Sequence, residues 1–128
     1  MCPDIGFGII DVRDVADLHY RALTAPDVQD ERYVCSGPFL KMIEVAELLR
    51  ANLGEQARKV PKRKMPDWLL KLLALMRPEL KQLVAELGNV RGGDSRHAMQ
   101  TLDWTMRPPE KAILATAHSL IERGIVKL

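Results

Sequence analysis

The residues of this sequence best suited to holding a ligand form the run Arg91-Gly92-Gly93-Asp94. An arginine can bind a carboxylate or phosphate through two parallel hydrogen bonds, and neighbouring glycines let the backbone come close to such an anion. The same run is typical of a plain loop that ends in an aspartate at a helix N-terminus. The pattern therefore favours a loop, with an anion contact as the functional alternative.

A second glycine pair lies near the N-terminus, in Gly6-Phe7-Gly8-Ile9-Ile10-Asp11. In a dinucleotide site the glycines follow a strand and open a helix, so that the pyrophosphate meets free backbone N–H groups. Here the glycines precede the strand-like residues, and Asp11 stands where the third glycine of the pattern belongs. The sequence therefore predicts no cofactor-binding residues in this chain.

Basic residues are concentrated in one run, which comprises Arg58, Lys59, Lys62, Arg63 and Lys64. Such a run could contact the phosphates of a nucleic acid. Binding of a single strand would also use aromatic side chains for stacking, and the run contains none. The formal net charge of the whole chain is only +2. We therefore expect a solvated loop, and nucleic acid is not an expected partner.

The remaining titratable residues show no spacing typical of a metal or nucleophilic site. No two of the three histidines (His19, His97 and His118) stand at a metal-ligand spacing, and no Ser-His-Asp set is recognisable. Cys2 and Cys35 form neither a disulfide framework nor a CxxC pair, so we expect a reduced, cytoplasmic setting. The longest apolar stretch, 68–76, is interrupted by Lys71 and is too short to span a bilayer, so no membrane partner is expected.

The helices and strands that must position these residues can be predicted from the spacing of apolar residues and from capping residues, glycine and proline. With 128 residues, of which 47% are hydrophobic, the chain can build a core. Strands are predicted at 7–13 and 31–36, with a possible third at Val60. Helices are predicted to start at an Asp14 cap, at Phe39 after Pro38, at Asp67, at Glu79, at an Asp94 or Ser95 cap, and at Pro108–Glu110. Gly54, Gly88 and Gly124 are expected to follow helices, and Trp68 and Trp104 are expected to anchor the core.

Seven segments together resemble the C-terminal part of extended short-chain dehydrogenases/reductases. The likeness is to the NAD-dependent epimerase/dehydratase and dihydroflavonol 4-reductase-like group. In chain order the segments are Phe7–Leu23, Glu31–Gly37, Phe39–Leu53, Lys59–Leu73, Asp94–Ala98 with Leu102 and Trp104, Arg107–Glu110, and Leu120–Gly124. Within the fifth segment, His97 and Asp103 replace the family's usual lysine and glycine.

The resemblance implies an α/β fold in which this chain is mostly helical with two or three short strands. Residues 1–38 would supply the last strand-helix-strand elements of a Rossmann-type sheet, and residues 39–128 a mainly helical substrate-binding subdomain. The implied partners are an N-terminal Rossmann half and, in the parent oxidoreductase, NAD or NADP and a small-molecule substrate. From the resemblance and from loop position, Pro66, Trp68, Arg91 and Asp94 are predicted to face the substrate.

The family's catalytic Tyr-x-x-x-Lys pair has no counterpart in this sequence, because Tyr20 is followed four residues later by Thr24 and Tyr33 by Gly37. The lysine is needed to lower the pKa of the tyrosine so that the phenol can exchange a proton near neutral pH. No catalytic residue is therefore assigned, and we expect the chain to be inactive alone. The alternative is a separate helical binding module that self-associates.

Overall fold

The computed structural model describes residues 1–26, 28 and 30–126. It is a small, mostly helical α/β domain with one two-stranded antiparallel sheet, which confirms the predicted fold class. The elements are β1 (Gly6–Gly8), α1 (Val12–Thr24), β2 (Phe39–Lys41), α2 (Met42–Leu53), α3 (Asp67–Met76), α4 (Lys81–Ala85), α5 (Arg96–Thr101) and α6 (Pro109–Glu122). Short 3₁₀ turns occupy Gly54–Ala57 and Pro78–Leu80.

The first predicted strand, 7–13, was too long, and the predicted cap of the following helix was wrong. The strand ends at Gly8, and α1 begins at Val12 with Asp11, not Asp14, at its N-cap. The Asp11 carboxylate accepts a hydrogen bond of 2.9 Å from the Arg13 backbone N–H, as a capping side chain does. Asp14 lies in the first turn of α1 and is buried, because its carboxylate is used by a tertiary contact with Arg107.

The helix predicted from Phe39 begins three residues later. Phe39–Lys41 forms β2, which pairs with β1 in the register Phe7 to Leu40, so the predicted helix start at Phe39 directly after Pro38 was wrong. Gly37 permits this pairing, since a Cβ there would lie only 1.7 Å from the Ile9 carbonyl oxygen. The close approach of residues 37–41 to residues 6–9 therefore overrides the helical spacing of apolar residues at 39–41.

The strand predicted at 31–36 is absent as a hydrogen-bonded element, although its burial alternates as in a strand. Tyr33 and Cys35 are half-buried, whereas Arg32 and Val34 are exposed. In the described part of the chain, no backbone–backbone hydrogen bond is recorded for residues 31–35. The prediction failed because a strand also needs the backbone of a neighbour. Val60 likewise lies in a turn, where its N–H donates to the Ala57 carbonyl.

The later helices follow the predicted order. Helix α3 begins at Asp67 as predicted, while the helix predicted from Glu79 divides into the 3₁₀ turn at Pro78–Leu80 and the short α4. Three glycines with positive φ follow helical segments as expected: Gly54 at 50°, Gly88 at 70° and Gly124 at 64°. Among the described residues, no helix is long and apolar enough to cross a membrane.

The central core lies between α1 and α5. Its buried residues are Leu18, Ala98, Leu102 and Trp104, and half-buried Tyr33 and Cys35 pack against them. Trp104 is fully buried and confirms its predicted role as a core anchor. Trp68 is 66% exposed, so its predicted core role was wrong. The opposite face of α3 carries the buried residues Leu70 and Ala74 and leaves the indole in solvent.

Candidate functional site

The four residues predicted to face a substrate lie in two separate places. Pro66 and Trp68 stand at the start of α3, whereas Arg91 and Asp94 lie in the loop before α5. Within the described ranges, no recorded hydrogen bond or ion pair joins the two pairs. Each charged member has a local partner, Arg91 with Glu86 at 3.0 Å and Asp94 with Arg96 at 2.6 Å. A role of the four residues in substrate binding stays a prediction.

The glycine loop is held against the 31–36 segment by two serines. The Ser95 hydroxyl accepts a hydrogen bond of 2.8 Å from the Ser36 N–H and donates one of 3.0 Å to the Ser36 carbonyl. The Gly93 N–H donates to the Ser36 hydroxyl at 3.1 Å. A Cβ on Gly93 would lie 2.7 Å from the Ser36 Cβ. Close approach at Gly93 therefore serves packing of the loop on the 31–36 segment.

Asp94 and Arg96 form a compact ion pair at the start of α5. The Asp94 carboxylate accepts from the Arg96 backbone N–H at 2.9 Å, which makes Asp94 rather than Ser95 the residue whose side chain caps the helix. The Arg96 guanidinium lowers the pKa of Asp94 to about 2, chiefly through side-chain hydrogen bonds. This carboxylate therefore stays charged at neutral pH, and its negative charge would repel an anionic ligand from the loop before α5.

Three side chains connect the other end of the 31–36 segment to α5. The rings of Tyr33 and His97 are stacked with centroids 5.2 Å apart, and His97 Nε2 lies 2.9 Å from a Glu31 carboxylate oxygen. The hydrogen bond with His97 lowers the pKa of Glu31, and burial raises the pKa of the Tyr33 phenol. His97 thus joins two segments that are 66 residues apart in sequence.

The N-terminus of α1 is the place where a helix could meet the pyrophosphate of a dinucleotide. Its N-cap position is occupied by the carboxylate of Asp11, whose two oxygens also bind the Arg13 side chain. Gly6 is needed for strand pairing, because a Cβ there would lie 2.5 Å from the Leu40 carbonyl oxygen. The described residues of this segment therefore do not fit a pyrophosphate group.

A shallow apolar groove runs along α6. Two adjoining cavities of about 350 and 280 Å³ share Ile10, Ala112, Thr116 and Leu120 in their walls. Arg13 and Ser119 lie at one end, and Val45 and Leu49 of α2 lie at the other. Its mainly apolar walls would admit an apolar group. In the described residues, no group of three or more His, Cys, Asp or Glu side chains could hold a metal ion.

Sequence reasoning missed the exposed face of α3. Trp68, Leu72, Leu75 and Met76 are 66%, 51%, 80% and 80% exposed. Their spacing of four, seven and eight residues places them on one side of a helix. The sequence could have predicted this exposed face. The other side of the helix already has four apolar residues that can pack on the core, namely Leu69, Leu70, Leu73 and Ala74. When both sides of a helix are apolar and the core is small, the core can bury only one side, and the other side stays exposed to solvent.

Comparison with known proteins connects this chain to part of a ketoreductase. No protein-family model matches it. The chain is 36% identical over 120 residues to Ketoreductase azaE of Aspergillus niger, a match that covers 94% of this chain and 30% of that protein. It shares the fold of the crystal structure of gox2253 with a TM-score of 0.72 and 21% identity, over 98% of this chain and 40% of the other. The chain therefore spans less than half the length of either protein, and it is related to a ketoreductase over part of that length.

Proposed function

We propose that this chain is the C-terminal, substrate-side part of an NAD(P)-dependent reductase or epimerase of the extended short-chain type. The ketoreductase similarity, which covers nearly all of this chain and under a third of the relative, supports a part of such an enzyme. In this proposal the loop with Arg91 and Asp94 and the segment from Pro66 to Trp68 face a small-molecule substrate. The cofactor, NAD or NADP, is bound by the other part.

The 31–36 segment is the observation that carries the proposal. Its side chains alternate between Tyr33 and Cys35 on the core and Arg32 and Val34 in solvent, while residues 31–35 have no recorded backbone partner in the described chain. This is the burial pattern of a strand at the edge of a sheet. A Rossmann sheet supplied by the rest of the reductase would provide the missing hydrogen bonds.

Catalysis by the chain alone is not part of the proposal. The sequence offers no tyrosine with a lysine four residues later, so no phenol has the neighbouring charge that would make it an acid or base near neutral pH. The helix N-terminus that follows the glycines already holds the Asp11 carboxylate. Hydride transfer would therefore use groups of the other part of the enzyme.

Complementation tests this proposal. The part of Ketoreductase azaE outside the matched 120 residues would be co-expressed with this chain, and NADPH-dependent reduction of a panel of ketones would be measured. We expect activity only when both parts are present, and no calorimetric heat when NADPH is added to this chain alone. Tight NADPH binding by the chain, or a lack of complex formation by the two parts, would contradict the proposal.

A self-associating helical module is the second candidate, and the surface of α1 favours it. Val12, Tyr20 and Leu23 are 77%, 67% and 85% exposed and lie within one side of the helix. A second copy could cover this face in a two-fold arrangement. Size-exclusion chromatography with light scattering distinguishes the candidates, because a stable dimer that is lost in Leu23→Glu would support the module.

A further inference from the structure

The segment from Arg58 to Lys81 combines an exposed apolar helix face with eight of the 19 basic residues of the chain. It contains eight basic and two acidic residues, a net charge of +6, although the whole chain carries only +2. The remaining residues therefore carry a net charge of −4. All eight basic residues are exposed: Arg58, Lys59, Lys62, Arg63, Lys64, Lys71, Arg77 and Lys81. The small net charge conceals a strongly basic region.

Cations stand directly beside the apolar face of α3. Lys71 and Lys81 line one cavity of about 200 Å³ together with Leu75, and Arg77 lines another with Met76. Lys64 keeps half of its side chain in solvent while it binds Asp4, and it precedes Pro66 by only two residues. Trp68, Leu72, Leu75 and Met76 are thus accompanied by basic residues on the flank of α3, at its C-terminal end and in the approach to it.

We propose that this surface, the α3 face with its basic flanks, binds peripherally to a bilayer that contains anionic lipids. Leucine, methionine and tryptophan side chains would enter the boundary between headgroups and acyl chains, and the indole suits that boundary because it has both apolar and polar edges. In this proposal the Trp68 indole contacts lipid, which leaves Pro66, Arg91 and Asp94 as the residues that face the substrate. The basic residues would meet the negative surface potential, with their aliphatic stems lying along the apolar zone. At ten residues, α3 would lie in the plane of the interface.

Other occupants fit this surface less well. A second copy would bring a +6 segment against another +6 segment, and like charges oppose such an association. A single-stranded nucleic acid would use stacking platforms, but Leu72, Leu75 and Met76 offer none and Trp68 is the only aromatic residue between Arg58 and Lys81. The expectation of no membrane partner considered only a spanning helix, and peripheral binding needs none.

Vesicle binding by the whole chain tests the proposal. The chain would be mixed with vesicles of phosphatidylcholine alone or with about one third phosphatidylglycerol, at low and high salt, and binding would be followed by flotation. We expect binding only to the anionic vesicles, steeply weakened by salt. Trp68 emission should shift to shorter wavelength on binding, and the buried Trp104 serves as an internal check that the core remains folded.

Matched variants separate the apolar and the charge contributions. Leu75→Glu should weaken vesicle binding at least about tenfold, since one buried leucine side chain is lost. Leu23→Glu, at a leucine of similar exposure on α1, should leave it unchanged. Lys71→Gln and Lys81→Gln should each weaken binding about fivefold, whereas Lys111→Gln on α6 should not.

Four results would overturn the proposal. They are no binding to anionic vesicles at low salt, equal binding by Leu75→Glu, a lipid-free dimer that Leu75→Glu abolishes, and tighter retention on a single-stranded oligonucleotide than on the vesicles.

Discussion

Arg107 holds the carboxylate of Asp14, a residue 93 positions earlier, with both its backbone and its side chain. The Arg107 N–H donates to one carboxylate oxygen at 2.7 Å, and the guanidinium binds the other. The Asp14 side chain is only 6% exposed. This contact fixes the segment before α6 to the first turn of α1.

Replacing Arg107 with alanine should lower the free energy of unfolding by about 2 kcal/mol, because a buried carboxylate loses its charged partner. Urea unfolding followed by circular dichroism measures this change. Arg123→Ala, at an exposed arginine after α6, is the control and should change the free energy by less than about 0.5 kcal/mol. Equal effects of the two substitutions would show that the contact with Asp14 is not stabilising.

The same substitution at the two tryptophans should change stability at only one of them. The Trp104 indole N–H donates to the Asp14 carbonyl oxygen at 3.0 Å in the fully buried core. Trp104→Phe should therefore cost about 1–2 kcal/mol of unfolding free energy, since a buried carbonyl loses its donor. Trp68→Phe should leave thermal unfolding unchanged. A larger loss in Trp68→Phe would place that indole in the core, contrary to its exposure.

Adjacent glycines in the loop before α5 offer a matched pair. A Cβ on Gly93 would meet Ser36 and Val34, at 2.7 and 2.9 Å, whereas a Cβ on Gly92 would have no atom within 4 Å. We expect Gly93→Ala to lower the unfolding free energy by about 1–3 kcal/mol through overpacking, with Gly92→Ala near neutral. Hydrogen exchange at the Ser36 amide should accelerate only in Gly93→Ala. Similar exchange in both variants would contradict packing of the loop on the 31–36 segment.

Acid should destabilise the chain through two capping aspartates. Arg13 lowers the pKa of Asp11 well below its usual range, and Arg96 lowers that of Asp94 to about 2. A carboxyl group with a lower pKa in the folded state adds stability above its unfolded pKa of about 4, and this stability is lost as the pH falls through the folded value. The unfolding free energy should therefore decline from about pH 4 to pH 2.

Asparagine variants test this assignment, because asparagine keeps the capping hydrogen bond and removes the titration. Asp94→Asn and Asp11→Asn should each flatten part of the decline in chemical denaturation measured at several pH values. Carboxyl carbon NMR should show Asp94 half-protonated near pH 2. A midpoint near 4 would mean that the ion pair with Arg96 does not persist in solution.

The spacing of apolar residues, together with capping residues, glycine and proline, predicted most of the helices in their order along the chain, because those signals are local. Asp67 opens α3, and Gly54, Gly88 and Gly124 follow helical segments where the sequence placed them. The errors fall where distant backbone decides. Phe39–Lys41 joins β1 because Gly37 approaches Ile9, and in the described part of the chain no backbone pairs with residues 31–35 to make them a strand. The substrate-facing role of Arg91 and Asp94 remains a prediction, since loop composition does not specify a ligand. Trp68 was misplaced because both faces of α3 are apolar.

Among the described residues, the backbone of residues 31–35 has no hydrogen-bond partner, which has a consequence for handling the protein. Backbone N–H and C=O groups without partners beside the exposed Val34 can pair with a strand of a neighbouring molecule, which is the first step of sheet-mediated aggregation. Glu31 and Arg32 place one negative and one positive charge at the start of this segment, and such charges interrupt the growth of stacked strands. Neutralising both residues would leave the apolar run 33–35 without its flanking charges, and concentrated solutions of that variant should then form fibrils or precipitate sooner.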